Sequence, residues 1–272
     1  MNQFLKSLFI STYPVVCLVG TVKAVLLHEA HTMAAIGLFI MSTQFLIFLG
    51  RLFLTKTPRT KAHLPSHSIL IGIGTCIVLL SVHTESILFA LPLLAGWLLY
   101  LFWYSPFHNR LNPKLDVGQV LPNFVLEDYS GQEVSTDTLR GKSKILLFYR
   151  GNWCPLCTAQ IDELVAEYKI LKSKGIETLL ISPQSQRHSK KLADKHQVNF
   201  RFLVDKDNVL AKQWQLFSEK GLPMGLQVLG YKSDTVMPTV ILTDADDKII
   251  YSDLTSNYRV RPEPSDFLPY FN

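Results

Sequence analysis

Two of the four cysteines, Cys154 and Cys157, stand three residues apart in the run Arg150-Gly-Asn-Trp-Cys-Pro-Leu-Cys. Thiols at i and i+3 meet on the first turn of a helix. Free N–H groups and the helix dipole stabilise negative charge there. One thiol then ionises readily and becomes a nucleophile. Pro155 is tolerated between them, because first-turn N–H groups lack an intrahelical partner in any case. The spacing predicts a dithiol that closes to a disulfide, with Cys154 exposed at the helix tip and Cys157 behind it. Structural zinc needs further soft ligands at metal spacing, and none is evident. Neither a metal nor a cofactor is expected.

Such a pair must be held by a strand that ends just before it and a helix that starts on it. Residues 144–149, Lys-Ile-Leu-Leu-Phe-Tyr, read as a short buried strand. Ile161, Leu164, Val165, Tyr168 and Leu171 form one apolar face at helical period. Gly175 then suits a helix C-terminus. Alternation continues, with strands at 176–181, 200–204, 239–242 and 248–251 and helices at 185–196, 208–216 and 264–270. This pattern predicts a central mixed sheet flanked by helices.

Trp153-Cys-Pro-Leu-Cys157 resembles the Trp-Cys-x-x-Cys site of thioredoxin-like proteins, and Met237-Pro238-Thr239 resembles the cis-proline loop that faces it. Phe148 to Cys157, the opening Val117-Gly-Gln-Val-Leu-Pro-Asn-Phe and the tail Asn257-Tyr-Arg-Val-Arg-Pro-Glu-Pro are similar to the peroxiredoxin-like AhpC/TSA, or redoxin, branch. The resemblance covers 115–272. It implies a thioredoxin-like α/β domain and an antioxidant or disulfide-exchanging oxidoreductase. Trp153, Pro155, Met237, Pro238 and Arg150 would surround the substrate. Pro238 would follow a cis bond, and Arg150 would stabilise a thiolate or bind an acidic partner. Arg259 and Arg261 are expected to be structural or at the surface. One departure stands out. The family's Pro-x-x-x-Thr-x-x-Cys run has Arg150 at the Pro position, Cys154 at the Thr position and Cys157 at the peroxidatic position.

The rest of the chain is of another kind. Residues 1–104 hold six Lys or Arg and two acids, Glu29 and Glu85. Apolar stretches at 8–27, 33–54, 68–83 and 86–104 approach the length of about 20 residues that crosses a bilayer. They predict an α-helical transmembrane bundle of about four helices, followed by a linker at 105–114 and the α/β domain at 115–272. Trp97, Tyr100, Trp103 and Tyr104 suit a headgroup boundary. Arg51, Lys56, Arg59 and Lys61 follow the second stretch, and Arg110 and Lys114 follow the fourth. By the positive-inside rule both basic segments are cytoplasmic in a bacterial inner membrane, and so is the redox domain. An odd number of spans would put it in the periplasm. Cys17 and Cys76 read as small buried residues. His28, Glu29, His31, His83 and Glu85 read as interfacial caps.

The near-neutral charge of the second half gives no reason to invoke nucleic acid. The partners expected are a protein disulfide or peroxide, a thiol electron donor and membrane lipid. Three functions compete. The first is a membrane-anchored thiol-disulfide oxidoreductase, with Cys154 attacking and Cys157 resolving. The second is a peroxiredoxin-like peroxidase, with Cys157 oxidised and Cys154 resolving. The third is a membrane redox sensor or adaptor with little turnover.

Overall fold

The computed structural model describes residues 3–108 and 110–271. The chain divides into two compact units, one ending at Pro106 and one starting at Phe107.

The first unit is helical: α1 (Gln3–Leu27), α2 (Thr32–Leu54), α3 (Pro65–Leu80), α4 (Thr84–Leu99) and a π-helical turn over Tyr100–Tyr104. Its outer surface is apolar, with Val22, Leu26, Ile47, Phe53, Ile69 and Leu80 all exposed. The interior is closely fitted. A Cβ on Gly37 would lie 2.8 Å from the Gly74 carbonyl oxygen, so α2 and α3 approach at a distance that only glycine permits. Tyr13 donates to the Leu93 carbonyl at 2.8 Å, which ties α1 to α4. Gln3–Leu27, Thr32–Leu54 and Thr84–Tyr104 are long and apolar enough to cross a membrane. Helix α3 has 16 residues. At 1.5 Å per residue it extends about 24 Å, short of a hydrocarbon core of about 30 Å. Cys17 is buried, but Cys76 is exposed on α3, contrary to the expectation of two buried cysteines. It lies on the outward side of a helix whose inward side is taken by Ile71, Gly74 and Val78. His83 does cap α4, accepting from the Ser86 N–H.

The second unit is built on β1 (Val125–Asp128), β2 (Glu133–Ser135), β3 (Lys144–Phe148), β4 (Glu177–Ser182), β5 (Arg201–Val204), β8 (Thr239–Thr243) and β9 (Ile249–Asp253). Their order is β2-β1-β5-β4-β3-β8-β9. Strands β3, β4 and β5 run parallel, while β8 pairs antiparallel with β3. A separate two-stranded ribbon joins β6 (Phe217–Ser218) and β7 (Thr235–Val236). Every residue of β3 is buried. Leu146 and Phe148 enter one core with Leu179, Ile181, Leu203 and Trp214, while the alternate residues Ile145 and Leu147 are buried as well. A strand covered on both faces reads as continuous apolar sequence, which is why the 144–149 run was legible. Buried Lys144 is neutralised by Asp247.

Helices α5 (Pro155–Ala166), α6 (Tyr168–Ser173), α7 (Gln186–His196), α8 (Val209–Gln213) and α9 (Pro264–Phe267) complete the unit. The expected single helix through Leu171 breaks at Glu167, whose ψ of 4° lies outside the helical range. Gly175, at φ +67°, ends α6. Ser185 caps α7 by accepting from the His188 N–H. Phe107 and Asn112 are bonded into this unit. The Phe107 N–H donates to the Ser256 carbonyl at 2.7 Å, and Asn112 donates to the Trp214 carbonyl at 2.6 Å.

Candidate active site

The dithiol sits where β3 ends and α5 begins. Gly151 makes the turn at φ +143°, and a Cβ there would lie 2.8 Å from the Trp153 indole nitrogen. Both facts demand glycine. Gln184, just past the end of β4, pins the next residue. Its side-chain oxygen accepts from the Asn152 N–H at 2.9 Å, and its amide donates to the Tyr149 hydroxyl at 2.9 Å and to the Asn152 side-chain oxygen at 3.0 Å. Asn152 also donates to the His188 carbonyl at 2.7 Å. The loop that carries the cysteines is thus bonded to the entry of α7.

Cys154 is the N-cap of α5 and Pro155 its first residue. The Cys154 carbonyl accepts from the N–H groups of Cys157 at 3.0 Å and Thr158 at 3.1 Å. Both thiols are free and buried, Cys154 at 3 % exposure and Cys157 at 1 %. The expected exposure of Cys154 is therefore not found.

Two donors reach the Cys157 sulfur. The Arg150 N–H lies at 3.4 Å and Arg261 Nη2 at 3.9 Å. Arg261 is only 8 % exposed. Arg150 stacks its guanidinium 4.7 Å from the Trp153 ring centre and donates to the Gly221 carbonyl. Its own carbonyl accepts from the Thr235 hydroxyl at 3.0 Å.

These contacts divide the acidity of the pair. The Cys157 thiol donates to the Cys154 sulfur and holds Cys154 well below the usual thiol range, against burial and with help from the Arg150 and Arg261 charges. Burial and the adjacent Cys154 push Cys157 up, which Arg261 partly opposes. The reduced pair therefore carries one negative charge shared through an S–H···S bond, with two guanidinium groups beside it.

Arg150, Trp153 and Pro155 lie in the turn that carries the cysteines. Met237 and Pro238 are held otherwise. There is no cis peptide among the described residues, so the Met237–Pro238 bond is trans. The Met237 N–H donates to the Leu216 carbonyl at 2.7 Å, which prolongs the β6–β7 ladder and carries the chain extended into β8. That N–H is not presented to a substrate. Arg110 clamps the loop instead. Its guanidinium donates to the Pro238 carbonyl at 3.1 Å, the Thr239 hydroxyl at 2.8 Å and the Met237 sulfur at 3.5 Å. Burial pulls Arg110 down to about 10, so it stays cationic at neutral pH.

Arg261 is the main residue that sequence reading missed. It was expected to be structural or at the surface, yet it is buried against both sulfurs, and Arg259 is buried as well. Its Tyr-Arg-Val-Arg-Pro context carried the signal, because a pair of arginines in an otherwise apolar turn is costly to bury without an anion nearby. Gln184 gave no signal; only the fold brings it beside Asn152. Among the described residues, no group of three or more His, Cys, Asp or Glu is arranged to hold a metal.

The AhpC/TSA family pattern matches residues 117–252. Peroxiredoxin Bcp of Escherichia coli strain K12 is 30 % identical over 151 residues, which cover 54 % of this chain and 92 % of that protein. The chloroplastic peroxiredoxin Q of Triticum aestivum is 34 % identical over 106 residues, covering 39 % of this chain and 49 % of its own. Among solved structures, Enterococcus faecalis AhpC is similar with a TM-score of 0.47 at 17 % identity, covering 57 % of this chain and 89 % of that one. Peroxidoxin BcpB from Mycobacterium tuberculosis is similar with a TM-score of 0.45 at 20 % identity, covering 53 % and 90 %. With half of its length matched by the family pattern and nearly the whole of a peroxiredoxin aligned to it, the chain belongs to the AhpC/TSA family and is an oxidoreductase.

Proposed function

We propose that the chain is a membrane-anchored thiol peroxidase in which Cys157 attacks the peroxide and Cys154 resolves. The observation that carries this reading is the convergence of the Arg150 N–H and Arg261 on the Cys157 sulfur. The two donors favour negative charge on Cys157 when the shared proton moves to Cys154. The Cys157 thiolate displaces one peroxide oxygen: an S–O bond forms, the O–O bond breaks, and the departing oxygen leaves as water or an alcohol after taking a proton. Cys154 then attacks the Cys157 sulfenic sulfur. The S–S bond forms and hydroxide leaves as water. An external dithiol restores the pair by exchange.

A second reading has its own support. The lowered pKa of Cys154, at the helix tip, suits attack on a substrate disulfide. The two readings part on where the first oxidation falls. Oxidising the full-length Cys154→Ser protein with one equivalent of hydrogen peroxide in the presence of dimedone tests them. A dimedone adduct on Cys157 supports the peroxidase; no adduct, with only slow loss of thiol, favours exchange.

The apolar exterior of the first unit supports integral membrane placement. We place the redox unit in the cytoplasm, where its reductants are thiols, with α3 spanning through its flanking residues. If α3 does not cross, the same charge pattern puts the domain in the periplasm.

A further inference from the structure

Arg110, near the start of the redox unit, joins two stretches of chain at one end of the sheet. At the entry to β8 its guanidinium donates to the Pro238 carbonyl at 3.1 Å, the Thr239 hydroxyl at 2.8 Å and the Met237 sulfur at 3.5 Å. Just past the end of β9, its Nε donates to the carbonyls of Leu254 at 3.1 Å and Thr255 at 3.2 Å. A planar fork of donors serves both stretches at once, which a single ammonium does not. These partners are loop groups, and the sulfurs are reached one step later.

Both stretches lead to the dithiol. Thr239 pairs with Phe148 of β3, which runs on to the Arg150 N–H at the Cys157 sulfur. That route is already fixed, because β3 is paired on one side with β4 and on the other with β8. The other route is not. From Leu254 the chain passes, between β9 and α9, to Arg261, whose Nη2 stands 3.9 Å from the same sulfur. Without a ladder of its own, this stretch takes its course from its end contacts. Gln160 of α5 holds the far end by donating to the Pro262 carbonyl at 3.2 Å. Arg110 holds the near end, and the Phe107 N–H on the Ser256 carbonyl reinforces it. The charges agree with this arrangement. Arg110 and Arg261 repel each other, and Asp253, the last residue of β9, attracts both.

We propose that Arg110 is a positioning residue for the dithiol, which acts by holding the stretch 254–261 so that Arg261 meets the Cys157 sulfur. Its effect on peroxide oxidation rests on the peroxidase reading, whereas its effect on thiol ionisation does not. The test is a double-mutant cycle on the full-length protein, with Arg110→Gln, Arg261→Gln and the two together. Two quantities are read: the pH midpoint for alkylation of Cys154 by iodoacetamide, and the rate of oxidation by hydrogen peroxide. In the wild-type background Arg110→Gln should raise the midpoint and slow oxidation about tenfold, less than the roughly 10²-fold that a misplaced group can cost. In the Arg261→Gln background it should change neither. Arg110→Lys keeps the charge but does not span both stretches. It should move the midpoint the same way, and it carries the cycle if Arg110→Gln does not fold. An equal shift in both backgrounds would overturn the proposal, since Arg110 would then act through its own charge or by loosening the domain. So would a midpoint that Arg261→Gln raises and the Arg110 variants leave in place. If the wild-type protein reacts with peroxide no faster than a free thiol, the peroxidase reading fails, and the alkylation cycle still decides the role of Arg110.

Discussion

The backbone N–H of Arg150 lies 3.4 Å from the sulfur of Cys157, across the turn that separates β3 from α5. The peptide between Tyr149 and Arg150, just past the end of the central strand, thus donates directly to the inner thiol. The position of that donor depends on β3, one of the most deeply buried elements of the domain, and not on a mobile side chain. Arg261 approaches the same sulfur from the C-terminal segment.

The lowered pKa of Cys154 depends first on the Cys157 thiol that donates to it. Because the shift is downward, Cys154 reacts with alkylating agents at neutral pH and loses that reactivity as the pH falls through its folded value. Cys157→Ala removes the donor. The midpoint for alkylation of Cys154 by iodoacetamide should then rise towards the ordinary thiol range. An unchanged midpoint would mean that the arginine charges set it alone.

Arg261 stabilises charge on both sulfurs. Arg261→Gln should slow peroxide oxidation by about 10²-fold, the scale found for removing one donor from a developing anion. It should also raise the pKa of Cys154. Arg261→Lys should restore the charge but only part of the rate, since an ammonium lacks the planar fork. A structural role alone would leave the pH profile in place.

Gln184 holds Asn152 and Tyr149 from outside the catalytic run. Gln184→Ala leaves buried donors and acceptors without partners and should cost about 1–3 kcal/mol. Denaturant unfolding of the full-length protein measures this. Retention of wild-type stability would show that water replaces the amide.

The first unit exposes apolar side chains over the surfaces of α1, α2 and α4. Expressed in bacteria, the chain should stay with the membrane pellet through alkaline carbonate and dissolve only in detergent. Release into the carbonate supernatant would contradict the membrane placement.

Much of this architecture was legible because its signals are local. The run 144–149 is buried on both faces and reads as β3, and Ser185 and Gly175 mark helix ends through their own chemistry. Strands β1 and β2 were missed because Val125–Asp128 and Glu133–Ser135 carry only three apolar residues between them. Strands β6 and β7, at two residues each, fall below any periodic signal. In the site, the cysteines, Arg150 and Trp153 lie within eight residues and could be read together. Arg261 lies 104 residues from Cys157, and only the folded chain brings them into contact. The trans Met237–Pro238 bond and the grip of Arg110 on that loop are likewise products of tertiary pairing.

The most direct test is the rate of hydrogen peroxide reaction with the reduced full-length protein by rapid mixing, beside Cys154→Ser and Cys157→Ser. The peroxidase account predicts oxidation far faster than that of an ordinary thiol, lost in Cys157→Ser and kept for a single turnover in Cys154→Ser. A wild-type rate no better than a free thiol, or a fast rate lost only with Cys154, would contradict it and leave disulfide exchange through Cys154 as the activity.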